Sequence, residues 1–363
     1  MARVLVAGLC AVPAPRRAGV QLRHVIRSLS AHHEVDVLVV READQPHVER
    51  RDSVQILRVP SPELIPSARI DAFRRALHRQ LDGAEYDVVH CRDAWSGLAA
   101  LEARGCSGFA VIYDLSRSPL GDPDLDAQYA RDERACLAAA DVVLVPTPAA
   151  LEALDGGARG RARLSPLGVD IDRFDWDEPP NAGPPCVLFV GELDAARGAL
   201  VLVRAMAAVV REFDARLVLA GPLAASFDRD LRRAIEELGL AGAVERIGAI
   251  EHDRVPELIA SATLCVVPAA DSPVCPTKLL EYLACRRAVV APRRDVVARV
   301  VADDREALLF DPGDPSDLSR KILRLLEAPL LRDRLAHGGY ERVRREFTAS
   351  AARRAVRAVY DEL

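Results

Sequence analysis

The sequence predicts an α/β protein of two Rossmann-like, doubly wound domains, each a mostly parallel sheet with helices on both faces. Three observations carry the prediction. Short runs that are apolar on both faces alternate with longer amphipathic stretches, as buried parallel strands and their crossover helices do. The alternation stops once, at residues 174–185, and then resumes. At 363 residues the chain exceeds one ordinary core, so two domains are expected.

The elements follow in order. Val4–Ala7 reads as a strand, a loop carries Pro13, Pro15 and Gly19, and a helix runs from Val20 to His32. Val35–Val40 and Val54–Val59 read as strands, Ala68–Leu81 as a helix, and Asp87–His90 as another buried strand. A strand at Ala110–Tyr113, a helix at Leu125–Ala139 and a strand at Val142–Val145 complete the first half. Phe174 to Pro185 holds four prolines and a glycine and lacks a periodic apolar face, which is linker composition. Strands then resume at Val187–Val190, Leu217–Ala220, Val244–Ile247, Leu264–Val267 and Val289–Ala291. The expected division is a first domain over 1–173, a linker over 174–185 and a second domain over 186–346. Ligands of such sheets sit at the carboxyl ends of the strands, so two facing domains would share a cleft there.

A net charge of −5 gives no reason to expect a nucleic acid partner. Met-Ala-Arg runs directly into the first strand, so no secretory leader is read. No apolar run reaches the roughly eighteen residues of a membrane span. The eight cysteines are scattered without a CxxC pair, as reduced residues of a cytoplasmic protein would be; Cys275 alone falls in a candidate site loop. The helix Ala68–Leu81 carries Arg69, Arg74, Arg75, His78 and Arg79 beside apolar residues. A peripheral contact with the inner face of an anionic membrane is a further expectation, against the plainer reading of a solvated helix.

Leu264 to Pro292 holds the densest chemistry. A buried strand is followed by the Pro-rich loop 268–276 and at once by a helix, which is the layout of an anion site. Thr277 supplies a hydroxyl at the helix start, and Lys278 and Glu281 fall three apart on one helix face. Amides, a cation and a carboxylate together suit a ligand with phosphates and hydroxyls. Of 49 basic residues only Lys278 and Lys321 are lysine, so a lysine at this helix start stands out against the arginine used elsewhere. The competing reading is a surface i,i+3 ion pair. After the strand ending at Val190, the turn Gly191 to Gly198 delivers Arg197 just before a helix, where it and Lys278 would close on one pyrophosphate; an exposed turn residue is the alternative. Gly221 and the segment Gly248 to Glu251, Ile250 included, end neighbouring strands and would contact a base or ribose.

These residues resemble family 4 of the retaining glycosyltransferases, the group 1 glycosyltransferases of the two-domain GT-B fold, over nearly the whole chain. The resemblance includes the turn Pro166-Leu167-Gly168-Val169-Asp170 with Phe174, the loop Gly191 to Gly198, Leu217 to Gly221, Gly239-Leu240, and Gly248 with Val255-Pro256-Glu257-Leu258. Its densest part is Pro276-Thr277-Lys278-Leu279-Leu280-Glu281-Tyr282-Leu283-Ala284 followed by Ala288-Val289-Val290-Ala291. It implies that Glu281 binds the ribose hydroxyls of a nucleotide-sugar, a UDP-sugar among the candidates, and that Arg197 binds its diphosphate. Gly191, Glu192, Gly198, Gly221, Ile250, Pro276, Thr277 and Leu279 complete the implied donor site. The closing segment 347–363 is expected to be a helix crossing back onto the first domain.

Three positions depart from the pattern. Many members have arginine where this chain has Glu192, and many have glutamate where it has Pro273. Many place a histidine after the strand Ala110–Tyr113, where this chain reads Asp114-Leu115-Ser116-Arg117. Lys278 belongs to a variant pattern that restores part of the lost positive charge. His90 matches a frequent family histidine that either orders its loop or touches substrate. With the sugar leaving and the acceptor attacking on one face, catalysis amounts to stabilising the departing diphosphate and holding the acceptor hydroxyl close. The expected catalytic set is Lys278, Arg197, Ser116 and His90, with Arg16, Arg17, Ala18 and Gly19 facing a glycan, lipid or small-molecule acceptor. No cofactor and no metal are expected, since no Asp-x-Asp stands where a divalent cation would be held.

Other classes fit less well. An NAD-dependent oxidoreductase lacks its GxGxxG, the first strand being followed by Gly8-Leu9-Cys10-Ala11. An epimerase or phosphorylase of the same fold is a lesser rival. The serious rival is a catalytically weak or inactive nucleotide-binding partner of another transferase.

Overall fold

The computed structural model describes the chain apart from residues 13–16, 43–44, 61–65, 106–107, 116–121, 166, 181 and 270–275. The chain forms two compact units, one of Met1–Leu167 with Ser350–Leu363, the other of Gly168–Ala349.

The first unit is built on an eight-stranded sheet. Its strands are β1 (Arg3–Ala7), β2 (Glu34–Val40), β3 (Val48–Arg51), β4 (Val54–Val59), β5 (Val88–Cys91), β6 (Ala110–Asp114), β7 (Val142–Val145) and β8 (Ala162–Leu164). The order is β3-β4-β2-β1-β5-β6-β7-β8, parallel throughout except for β3, which pairs antiparallel with β4 at the edge. Alternate residues feed opposite faces, as the period of two requires. Leu5, Ala7, Val89, Val111, Tyr113 and Val143 join Phe73 and Leu77 of helix Pro66–Gly83 on one face. Val4, Val6, Val88, Ile112 and Leu144 join Leu22 of helix Arg17–Leu29 on the other, together with Val356, Val359 and Tyr360 of helix Ala349–Glu362.

The second unit carries a six-stranded sheet of β9 (Cys186–Val190), β10 (Arg216–Ala220), β11 (Val244–Ile247), β12 (Leu264–Val266), β13 (Ala288–Pro292) and β14 (Leu308–Phe310), in the order β11-β10-β9-β12-β13-β14. Among the described residues every pairing in it is parallel. Val187, Phe189, Leu217, Leu219, Leu264, Val266 and Val290 pack on helices Ala199–Glu212, Ala225–Glu237 and Pro315–Glu327.

Two expectations change, and one helix appears that the sequence did not announce. The units divide at Leu167 and Gly168, upstream of the expected linker 174–185, because Phe174 is buried and Asp175 is bonded within the second unit. Helix Arg17–Leu29 starts before Val20, so Arg17 and Gly19 belong to a helix rather than a loop. Helix Ala94–Arg104 was not legible, since its alanine-rich run has no clear apolar stripe; Asp93 caps it by accepting from Ser96 N. The helix Pro66–Gly83 turns Ile70, Phe73, Leu77 and Leu81 into the core. Among the described residues, no helix is long and apolar enough to cross a membrane.

Candidate functional site

The carboxyl ends of β9 and β10 meet the start of helix Thr277–Ala284 in the second unit. That helix docks through Leu279, Leu280 and Leu283, all buried, and through the fully buried Tyr282, whose hydroxyl accepts a bond from Val190 N at 2.7 Å. The bond fixes the helix against the last residue of β9. Lys278, one turn earlier on the same side, extends over the Phe189 ring, with Nζ 4.4 Å from its centroid.

The space that Lys278 occupies exists because residue 191 is glycine. Gly191 has φ 155°, and a Cβ there would collide with Lys278 Nζ. Gly221, at φ 141° after β10, lies so close to the Gly191 carbonyl that it too has no room for a side chain. The loop is held by Gly191 N donating to Ala220 O at 2.8 Å and Leu193 N donating to Pro222 O at 2.8 Å. It ends at Gly198, the N-cap of helix Ala199–Glu212.

Arg197 is exposed; its backbone N–H donates to Asp194 Oδ1 at 2.7 Å and its Nε lies 3.7 Å from Asp194 Oδ2. Lys278 and Glu281 are half-buried. Burial pushes the Lys278 ammonium down to about 7, and Arg197 adds to the depression against Glu281, Asp194 and Glu192. Burial pushes the Glu281 carboxyl up to about 7, against the pull of Lys278 and Arg173. Lys278 therefore feels both Arg197 and Glu281, with the exposed Glu192 nearby. Lys278 with Arg197, Glu281, Asp194 and Glu192 makes a group of two cations and three carboxylates that a phosphate-bearing ligand would rebalance.

The remaining expected residues divide. Pro276 is the cap of helix Thr277–Ala284, and Thr277 is its first residue without a capping bond from a side chain. Ile250 is half-buried on the segment after β11. Ser116 and Arg16, with Pro273 and Cys275, lie outside the described residues. Arg17 opens its helix and Gly19 is buried within it.

His90 is enclosed within the first unit, against Tyr360. It has no exposed surface, its Nδ1 is 2.9 Å from the Tyr360 hydroxyl, and the two rings stack at 6.1 Å. Burial and the nearby Arg92 push it down to about 3, which favours the neutral ring. The Asp114 that stands where a histidine was looked for closes β6 and pairs with Arg92, both buried. Sequence reasoning missed that pair and Arg173; neither sits in a local pattern that announces a partner. Among the described residues, no three His, Cys, Asp or Glu side chains gather as metal ligands.

Comparison with known proteins gives a consistent result. Residues 184–328 match the family described as Glycosyl transferases group 1, and residues 18–168 the Glycosyl transferase 4-like domain. A D-inositol 3-phosphate glycosyltransferase of Catenulispora acidiphila is 29% identical over 67% of this chain, which spans 63% of that relative's length. One of Nocardioides sp. is 27% identical over 83% of the chain and 75% of its own. The alpha-D-kanosaminyltransferase of Streptomyces kanamyceticus is 28% identical over 49% and 46%. Among solved structures, sucrose-phosphate synthase of Thermosynechococcus elongatus superposes with a TM-score of 0.88 at 22% identity, covering 100% of this chain and 99% of that one. Anabaena HepE in complex with UDP-glucose gives 0.81 at 16%, covering 100% of both.

Proposed function

Because the chain belongs to the group 1 glycosyltransferases, of the GT-B fold and the family-4-like type, we propose that it transfers a sugar from a nucleotide-diphosphate-sugar to an acceptor hydroxyl with retention of anomeric configuration. The observation that carries the reading is Lys278, seated under Gly191 at the start of a helix and sharing its surroundings with Arg197 and Glu281. In this reading Lys278 and Arg197 neutralise the departing diphosphate, Glu281 accepts bonds from the ribose hydroxyls, and the amides of Thr277 and Lys278 add partial positive charge. A UDP-sugar is the first donor to try, because the neighbour of the same fold was solved with UDP-glucose. The acceptor is a glycan, lipid or small hydroxylated molecule. The reaction takes place in the cytoplasm with no metal ion required.

Calorimetric titration with UDP, GDP and ADP, and with Lys278→Ala and Glu281→Ala, tests the reading. One nucleotide should bind, and both substitutions should weaken it about tenfold or more, as loss of hydrogen bonds to charged groups does. Binding of none by the folded protein sinks it.

Glu192 favours a second reading, a catalytically weak or inactive nucleotide-binding partner of another transferase, because a carboxylate on the diphosphate loop repels the leaving group. Glu192→Arg should tighten nucleotide diphosphate binding about threefold to tenfold. A rise in turnover alongside would mark the natural protein as a weak enzyme; tighter binding without turnover would favour the partner reading.

A further inference from the structure

Phe189 does more in the second unit than fill its core. It lies in β9, is 1% exposed, and packs with Val187, Leu217 and Leu219. Its ring also carries Lys278, whose Nζ is 4.4 Å from the centroid, well inside the reach of a cation–π attraction. The contact is fixed from two sides. Val190, the next residue, donates its N–H to the Tyr282 hydroxyl at 2.7 Å, and Tyr282 stands one turn after Lys278 on the same helix. At Gly191 the missing side chain leaves the space that the ammonium fills. A Cβ there would collide with Lys278 Nζ and lie 3.2 Å from Phe189 Cζ and 3.3 Å from Lys278 Cε. Gly191 N donates to Ala220 O at 2.8 Å, which keeps that backbone in place.

The space between ring and glycine is thus filled by a single nitrogen. Arginine, which supplies nearly every other cation of this chain, would have to place a planar fork of nitrogens where Lys278 places one atom. The ring attracts the ammonium and not the neutral amine, because only the ammonium brings charge to its negative face. We propose that Phe189 is a positioning residue of the donor site, the floor of a slot that seats an ammonium, excludes a guanidinium and holds Lys278 in place for the diphosphate. The assignment rests on the reading of Lys278 as a diphosphate ligand. Arg197, Glu281, Asp194 and Glu192 are the charged groups that act on the same ammonium.

Lys278 and Lys321 are the only lysines, so lysine labelled with 13C at Cε gives two signals in the whole chain, and the one lost in Lys278→Met is Lys278. Phe189 is replaced, at that position alone, by its meta-fluoro and di-meta-fluoro analogues, which keep the ring's shape, leave the crowded Cζ untouched and weaken the negative face. Lys278 should titrate near 7 in the natural protein and about half a unit lower in the difluoro protein, with the monofluoro protein between them and Lys321 unmoved. UDP affinity at pH 7 should fall about twofold to threefold along the same series. Lys278→Arg, which keeps the charge, should lose as much UDP affinity as Lys278→Ala. A Lys278 midpoint that stays put across the series overturns the proposal, and so does UDP binding of natural strength by Lys278→Arg. The monofluoro protein carries the test should the difluoro protein fail to fold. Absence of UDP binding by the natural protein would count against the transferase reading alone, because the lysine titration judges Phe189 without any ligand.

Discussion

At the scale of single residues, Lys278 shows what a binding site costs the fold. Its ammonium is drawn out of water with a guanidinium nearby, and replacing a desolvated ion by an apolar side chain of similar length is often stabilising. Lys278→Met should therefore raise stability by about 1 kcal/mol, or about 2–4 °C in melting temperature, while nucleotide binding is lost; calorimetry reads both. Between about 7 and its ordinary 10.5 the folded state holds Lys278 deprotonated and the unfolded state does not, so stability rises with pH through that window and the gain from Met is largest below 7. Nucleotide affinity should follow a bell. Above pH 7 a diphosphate must draw a proton back onto Lys278, and below 7 the Glu281 carboxyl, raised from 4.5 to about 7, must release one. The difference between the natural protein and Glu281→Gln separates that acid limb from the nucleotide's own titration. Lys278 and Glu281 were legible in the sequence because lysine is so rare in this chain. The surroundings of His90 were not legible, because the residue that meets its ring, Tyr360, lies 270 positions away.

Among elements, eleven strands were legible from their Val, Leu and Ile: the runs buried on both faces, such as β1, β7 and β13, and also the partly exposed β4 and β11, which keep apolar residues at both ends. Those that were not are the polar edge strand Val-Glu-Arg-Arg of β3 and the three-residue strands β8 and β14, which pair only because a neighbouring edge is already in place. Side chains that lock one element to another were equally invisible, Tyr282 above all. Its hydroxyl serves the Val190 N–H, so Tyr282→Phe leaves that buried donor unpaired. The expected loss is about 1–3 kcal/mol of stability in a denaturant titration. Nucleotide affinity should fall with it, since the helix bearing Lys278 and Glu281 is no longer fixed to β9; full retention of affinity would mean that packing of Leu279, Leu280 and Leu283 fixes the helix alone.

For the whole molecule, the helix Ala349–Glu362 decides how the first unit holds together. Val356, Val359 and Tyr360 are nearly fully buried against the face formed by Val4, Val6 and Leu22. Tyr360→Ala should cost about 3–5 kcal/mol by the usual rule for large aromatic truncations. Hydrogen exchange should show protection lost across β1, β2 and β5 while β9, β10 and β12 keep theirs; equal loss in both units would mean that their stabilities are linked. Residues 350–363 follow the entire second unit in sequence yet complete the first. On the ribosome the usual order of completion is then reversed: residues 168–349 have every strand of their own sheet in hand, while the strands made first wait with one flank bare for fourteen residues still to be translated.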